Sequence, residues 1–313
     1  MNKPTLTFLC GLVASGKSTW AKTHKDELNA VIHSSDNLRI ELCNDINDQS
    51  KNTEVFEILH KRVKDDLCDG KNVIYDACSL SRKRRIAFLN ELKNIPCEKV
   101  CVLFATPYEQ CVANNAERER KVPTEVLVRM YKQFETPWYT EGFDDIQIVY
   151  WDYTGMSRFE YDIYKDLLEW RMISHDNINH VNSIGDHMIK AYNHYICNYD
   201  EIDDRLRWAV LMHDCGKLFV KSFVNSKKEP CSEAHYYEHH NVSSYKALFY
   251  LKEMCTAWTD KDILYTSLLI NMHMRPLLAY KDSEKAREKD RTLFGDDFMQ
   301  LLDILHICDK AAH

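Results

Sequence analysis

Residues 5–22 read TLTFLCGLVASGKSTWAK: an apolar run, a loop holding Gly11 and Gly16, then Lys17, Ser18 and Thr19 at the start of a helical pattern. No other stretch restricts the fold as much. Glycines let the backbone wrap an anion, the free N–H groups of a helix start point at it, a lysine neutralises charge and the next hydroxyl can ligate Mg²⁺. The segment therefore predicts a cradle for the phosphates of ATP or GTP at the end of a parallel strand. Its lining is Gly11, Ser15, Gly16, Lys17, Ser18 and Thr19, with Ser18 as the Mg²⁺ ligand.

The chain around this loop divides in two. At 313 residues and 45% apolar content it has material for two cores. Up to about residue 150, short β-branched runs alternate with helical stretches, as in βαβ units, and beyond it the periodicity is nearly all helical. The expected architecture is multidomain, α/β plus all-α: a parallel-sheet domain over 1–155, a helical connector over 156–172 and a helical domain over 173–313. Of the fourteen histidines only His24, His33 and His60 precede residue 170, so the halves carry different chemistry. A net charge of −7 argues against a general basic field for nucleic acid, leaving local patches open. Twelve cysteines without CxxC pairs, no charged-then-apolar leader and no apolar run long enough to span a bilayer predict reduced thiols in a cytosolic protein with no membrane partner.

Further acidic and basic residues fall where strands should end. After AVIHSS come Asp36 and, one helical turn later, Arg39. Strand ends in such sheets face the ligand crevice, where an aspartate can accept a hydroxyl proton and an arginine can grip a phosphate. A helix N-cap at Asp36 with a solvated Arg39 fits the same spacing. NVIYD brings Asp76 to this edge, to organise Mg²⁺ or an acceptor. The basic run Arg82, Lys83, Arg84, Arg85 fits either an acceptor surface or a solvated helix start. Farther on, Arg118 and Arg120 are read on a helix that either closes over the transferring phosphoryl group or carries a surface salt-bridge stripe.

Together, GLVASGKSTWA, SSDNLR, VIYDACSLSRKRR and NNAERERKVPTEVLVRMY resemble the phage-type 5′-polynucleotide kinase branch of P-loop phosphotransferases, over about residues 5–150. The resemblance implies Lys17 and Ser18 at the ATP phosphates and Mg²⁺, Asp36 as general base, Arg39 on an acceptor 3′-phosphate, Asp76 beside the acceptor and Arg118 on the β- and γ-phosphates. Cys78 and Ser79 stand where that family has Thr-Asn, and Asn114 where it has an arginine, so acceptor preference stays open.

In the second half, polar residues interrupt apolar stripes. His213 follows Leu206, Ala209 and Val210 at helical spacing; His187 shares a face with Ile184, Met188 and Ala191; His273 follows Leu269 and Ile270; Asp309 follows Leu302 and Leu305. Burying these groups unpaired costs several kcal/mol each, which a shared divalent metal removes. The segments GDHM, HDCGK, AHYYEHHNVSS, INMHMRP and HICDKAA resemble the HD phosphohydrolase superfamily over about 173–313. That resemblance implies His187, His213, Asp214 and Asp309 as ligands of one metal, with His239 and His273 completing a second. His240 is an alternative to His239, and His180 and His235 stand outside the ligand set. Two such ions make water nucleophilic at neutral pH and stabilise a leaving oxygen. Lys217 is placed to neutralise a phosphate oxygen, and Arg275 either does the same or is solvated. Mixed His and Asp donors suit Mn²⁺, Ni²⁺, Co²⁺, Fe²⁺ or Zn²⁺ over Mg²⁺.

The two resemblances imply a bifunctional end-healing enzyme. ATP-dependent phosphorylation of 5′-OH ends of RNA or DNA joins metal-dependent removal of a 2′-, 3′- or cyclic phosphate, with a ligase acting downstream. A small-molecule kinase fused to a nucleotidase is the alternative, and an ATP-gated sensor with a regulatory metal site is a third reading. Oligomeric state is open.

Overall fold

The structure, a computed structural model, describes residues 3–151, 161–178 and 181–313, and the chain forms two units. The first takes 1–130 and 137–152, the second 131–136 and 153–313. Within the stretch expected as the first domain, 1–155, the short segment Tyr131–Thr136 groups with the helical unit. The expected connector begins outside the described residues.

In the first unit the order is β1 (Thr5–Gly11), α1 (Lys17–His24), β2 (Ala30–Ser34), α2 (Ser35–Cys43), α3 (Asn52–Cys68), β3 (Asn72–Asp76), α4 (Arg82–Glu91), β4 (Glu98–Ala105), α5 (Tyr108–Glu117), α6 (Thr124–Lys132) and β5 (Asp145–Tyr150). The strands form one parallel sheet in the order β2-β3-β1-β4-β5. Central strands β1 and β4 read as continuous apolar runs because helices cover both of their faces. Leu9, Ile74, Val102 and Phe104 pack with Ala21 into a core beneath the phosphate loop. Because all strands are parallel, Gly11, Ser34, Asp76, Ala105 and Tyr150 end at one edge.

One core interaction was invisible locally. Arg85 is fully buried and forms a bidentate pair with buried Glu141, Nε to Oε2 at 2.6 Å and Nη2 to Oε1 at 2.8 Å, while Nη1 donates to the Leu80 carbonyl. Arg82 lies 3.5 Å from the same carboxylate. The basic run is therefore neither a solvated helix start nor an acceptor surface at these two positions, because one buried carboxylate claims both. Glu141→Ala leaves Arg85 without its counter-charge and is expected to cost about 3–5 kcal/mol, read as a lower urea midpoint.

The second unit holds α7 (Ile163–Trp170), α8 (Ile184–Asn198), α9 (Asp204–Met212), α10 (Lys217–Val220), β6 (Ser222–Val224), β7 (Pro230–His235), α11 (His239–Met254), α12 (Asp260–Met272), α13 (Glu284–Phe294) and α14 (Asp296–Ala311). Helix α9 packs against α8 and α12, α12 against α11, and α14 against α8. Thr136 and Ser267 share a hydrogen bond of 2.8 Å, and Asn241 donates to the Lys132 carbonyl, which anchors 131–136 among α11 and α12. The antiparallel hairpin β6–β7 departs from the all-helical expectation. Asn225 closes its turn by accepting from the Lys227 and Glu229 amides, and Pro230 cannot continue a helix.

Two helices also end sooner than their periodicity suggested. α9 stops at Met212, so His213 and Asp214 sit on the turn that follows. α5 stops at Glu117, so Arg118 and Arg120 lie on a connection outside any helix. All twelve cysteines are free thiols, and among the described residues no helix is long and apolar enough to cross a membrane.

Candidate active sites

A cleft of about 660 Å³ opens at the strand-end edge of the first unit. It is lined by Ser15, Gly16, Lys17, Ser18, Thr19, Asp36, Asp76 and Arg118, with Trp20 and Trp151 among its apolar walls. Gly16 sits at φ 95°, a left-handed conformation that a side chain would strain, and it turns the loop into α1. Gly11 ends β1 at the base of that loop. The loop is held from outside: Thr106 Oγ1 donates to the Ser15 carbonyl at 3.0 Å and Asn114 Nδ2 to the Ala14 carbonyl at 2.9 Å. Asn114, standing where an arginine was expected, thus braces the cradle.

Buried Lys17 places its ammonium 2.9 Å from the Gly11 carbonyl and 3.2 Å from Ser15 Oγ, at the mouth of the loop. Asp76 at the end of β3 is paired with the Ser18 hydroxyl. Burial pushes its carboxyl up, against the pull of Ser18 and of the Lys17 ammonium. Ser18 and Asp76 thus offer two oxygens on one side of the loop, a donor set suited to Mg²⁺.

Asp36 lies in the first turn of α2 and lines the cleft, with 39% of its side chain exposed. Arg39 Nη1 approaches its Oδ1 at 3.3 Å and Arg120 Nη1 donates to its Oδ2 at 2.8 Å. Arg39 does not line the cleft. Its guanidinium is buried, donates to Asn52 Oδ1 at 2.7 Å and packs over Phe56. That placement makes it a support for Asp36 and corrects the solvated reading.

In the second unit, helices α8, α11 and α14 and the turns that follow α9 and α12 bring the buried donors together. Atoms of His187, His213, Asp214 and Asp309 form one group within 4.8 Å of one another, and Asp214, His239 and His273 form another. Asp214 belongs to both: Oδ2 lies 3.2 Å from the Nε2 atoms of His187 and His213, while Oδ1 lies 3.1 Å from His239 Nε2 and 3.8 Å from His273 Nε2. Asp309 Oδ1 stands 3.0 Å from His187 Nε2. Gly216 makes this possible, since a Cβ there would come within 2.5 Å of the Ser243 amide and 2.7 Å of the His239 carbonyl. Only glycine lets the His-Asp turn approach the start of α11 so closely.

The hydrogen bonds behind the rings fix which ring atoms face the centre. Nδ1 of His213, His239 and His273 faces the carbonyls of Val210, Tyr236 and Ile270 at 2.8, 2.8 and 2.7 Å. A carbonyl only accepts, so these Nδ1 atoms carry hydrogen and, in the neutral ring, Nε2 presents a lone pair. His239 and His273 aim those lone pairs at each other across 3.1 Å, and His187 and His213 place their Nε2 atoms 3.2 Å apart. Facing lone pairs repel unless a shared proton or a cation lies among them. Burial opposes charge on His213, yet the Asp214 and Asp309 carboxylates hold its imidazole up at about 10. Burial and the neighbouring His239 and His213 rings hold His273 well below the usual imidazole range. The donor set fits one or two divalent transition metals.

Lys217 is buried and turned inward, 2.7 Å from Asp214 Oδ2 and 3.3 Å from His175 Nε2. It is paired with the Asp214 carboxylate. His175 had no apolar stripe to mark it. Its Nδ1 meets the Asn182 carbonyl at 2.7 Å, and burial followed by the Lys217 ammonium pushes the imidazole down to about 4. Arg275 is paired with Asp290 at 2.6 Å while 39% of its side chain stays exposed, and His235 stacks on Tyr237. His240 is in neither donor group, whereas His239 is in the second; His180 lies outside the described residues.

Residues 6–137 match the model of a P-loop family described as AAA domain. The chain is 26% identical over 137 residues to L-seryl-tRNA(Sec) kinase of Methanococcus maripaludis, covering 42% of this chain and 53% of that protein. It is 28% identical over 157 residues to transcription factor bHLH140 of Arabidopsis thaliana, covering 48% of this chain and 16% of the other. The chain thus spans from a sixth to about half the length of these curated relatives. A chain of the Pnkp1/Rnl/Hen1 RNA repair complex superposes with a TM-score of 0.37 at 20% identity, covering 42% of this chain and 44% of that one. The N-terminal unit is a parallel-sheet P-loop kinase domain, and a helical part follows it.

Proposed function

We propose that this chain heals nucleic-acid ends: its first unit phosphorylates a 5′-OH with ATP, and its second is an HD-type phosphohydrolase that removes a 2′-, 3′- or 2′,3′-cyclic phosphate. The observation that carries the reading is the position of Asp36, a carboxylate that faces the phosphate cleft while two arginines converge on it. An acceptor hydroxyl beside Asp36 gives up its proton to the carboxylate as its oxygen bonds the γ-phosphorus and the bond to the β-phosphate oxygen breaks, releasing ADP. Lys17 and Arg118 neutralise the oxygens of the transferring group. Ser18 and Asp76 would hold Mg²⁺, which would supply further charge neutralisation. The archaeal relative named L-seryl-tRNA(Sec) kinase is a kinase whose acceptor is carried on RNA, which supports a nucleic-acid acceptor.

For the second unit, divalent metals held by His187, His213, Asp214, His239, His273 and Asp309 would supply Lewis acidity and an activated water. The chain's own contribution is orientation. Backbone carbonyls fix the imidazole tautomers, Asp214 serves both donor groups, and Lys217 keeps that carboxylate anionic and in place. Hydrolysis adds water across a phosphate ester, opening a cyclic phosphate or releasing inorganic phosphate.

One observation favours the small-molecule alternative. Glu141 neutralises Arg85 and draws Arg82, which removes much of the basic surface a polynucleotide would use. The test is transfer from γ-labelled ATP to 5′-OH oligonucleotides, with and without a 3′-phosphate, alongside free nucleosides. Label on oligonucleotides supports end healing; label confined to nucleosides rejects it in favour of the alternative.

A further inference from the structure

The connection between α5 and α6 carries two arginines that do different things. Asn115 pins its base, accepting from the Val122 amide at 3.0 Å and donating to the Val122 carbonyl at 2.9 Å. Arg118 lines the nucleotide cleft. Arg120, two residues on, turns to the acceptor side: Nη1 donates to Asp36 Oδ2 at 2.8 Å, Nε to Asn47 Oδ1 at 2.9 Å and Nη2 to the Ile46 carbonyl at 3.2 Å. The guanidinium thereby latches the connection to α2 and to the loop after it.

This latch occupies the oxygen that the reaction needs. Oδ1 of Asp36 is approached by Arg39, which sits one turn along the same helix, is buried, and is fixed by Asn52. Arg39 must move with Asp36. Arg120 comes from a different element and keeps 22% of its side chain exposed, so it is the partner that can leave. An acceptor hydroxyl that approaches Oδ2 has to replace it. A displaced guanidinium needs an anion with two acceptor oxygens to take its fork, and a phosphate attached to the acceptor supplies one.

We propose that Arg120 is the specificity-determining residue of the kinase site. It guards Asp36 until a phosphate on the acceptor, one nucleoside away from the reacting hydroxyl, draws it off. The ligand class is a 5′-OH nucleoside 3′-phosphate or a polynucleotide, as opposed to an unphosphorylated alcohol. A bare nucleoside must break the Arg120–Asp36 pair and offers nothing in exchange. This inference rests on the kinase reading above and adds to it the residue that selects the acceptor.

The experiment compares wild type with Arg120→Ala on a 5′-OH nucleoside 3′-phosphate and on the matching nucleoside. KM and kcat are measured with ATP and Mg²⁺, and equilibrium binding of each acceptor is measured without ATP. Loss of one charge-assisted phosphate contact should raise KM and Kd for the phosphorylated acceptor roughly tenfold. KM for the bare nucleoside should fall, because Asp36 is unlatched, so discrimination collapses from both sides. Asn47→Ala loosens the latch but keeps the cation; it should improve use of the nucleoside while the preference for phosphate persists. An Arg120→Ala protein with an unchanged ratio of the two KM values overturns the proposal, as does an equal loss of kcat on both acceptors. Wild-type protein that phosphorylates neither acceptor overturns the end-healing kinase and this inference together, which separates the two failures.

Discussion

Asp214→Ala should abolish metal binding at both positions in one step and reduce phosphate release to background. Each oxygen of Asp214 faces a different histidine pair, and among the described residues no other single side chain belongs to both donor groups. Metal content by elemental analysis should fall from one or two divalent ions per chain to none. His273→Ala, which touches only the second group, should remove at most one. Removing Asp214 also leaves the buried Lys217 ammonium without its carboxylate, a loss worth about 3–5 kcal/mol when a buried pair is broken. Asp214→Asn, which keeps the shape, guards against reading misfolding as lost chemistry. Should Asp214→Asn fold and retain full metal content, the shared-carboxylate account of the centre is wrong.

The second large effect belongs to the other unit. Asp36→Ala should lower phosphoryl transfer by about 10²–10⁴-fold, the usual contribution of a positioned general base. Lys17→Ala should do at least as much by leaving the phosphate loop without its cation. Neither change touches the His-Asp centre, so both proteins should release phosphate from a hydrolase substrate at the wild-type rate. The converse holds for Asp214→Ala, which should retain kinase activity. Loss of both activities in either variant would contradict two independent sites.

What could be read beforehand depended on how far apart the partners lie in sequence. The phosphate loop was legible because strand, glycines, lysine and helix start are contiguous, so each supplies the context of the next. His187, His213, His273 and Asp309 of the second unit were legible for another reason, since each interrupts its own apolar stripe, whereas Asp214 and His239 were marked only by the motifs they resemble. Packing α8, α9, α11, α12 and α14 together brings such interruptions to one place, and the structure does bring these six residues together. The choice between His239 and His240 could not be made from periodicity, because both sit at the start of one helix. It takes the Tyr236 carbonyl behind His239 to aim that ring.

Other features had no local mark. Arg85 and Glu141 are 56 residues apart, and nothing in RKRR says that its last member is the most buried arginine of the unit. Arg39 carried the right spacing from Asp36, but its burial against Asn52 and Phe56 depends on α3. The β6–β7 hairpin was missed because its strands are short and polar, so no two-residue alternation competed with the helical pattern around it. His175 lies in a loop segment without periodicity, and its meeting with Lys217 spans 42 residues.

The central claim is that one chain adds a phosphate at one end of a nucleic acid and removes one at the other. It is tested most directly with a single oligonucleotide bearing a 5′-OH and a 2′,3′-cyclic phosphate. The wild-type protein is supplied with ATP, Mg²⁺ and Mn²⁺, and the products are weighed by mass spectrometry both intact and after digestion from either end. The account predicts a product that has gained one phosphate at its 5′ end and lost the cyclic phosphate at its 3′ end. An oligonucleotide recovered unchanged at both ends, from protein that binds ATP and divalent metal, would contradict it.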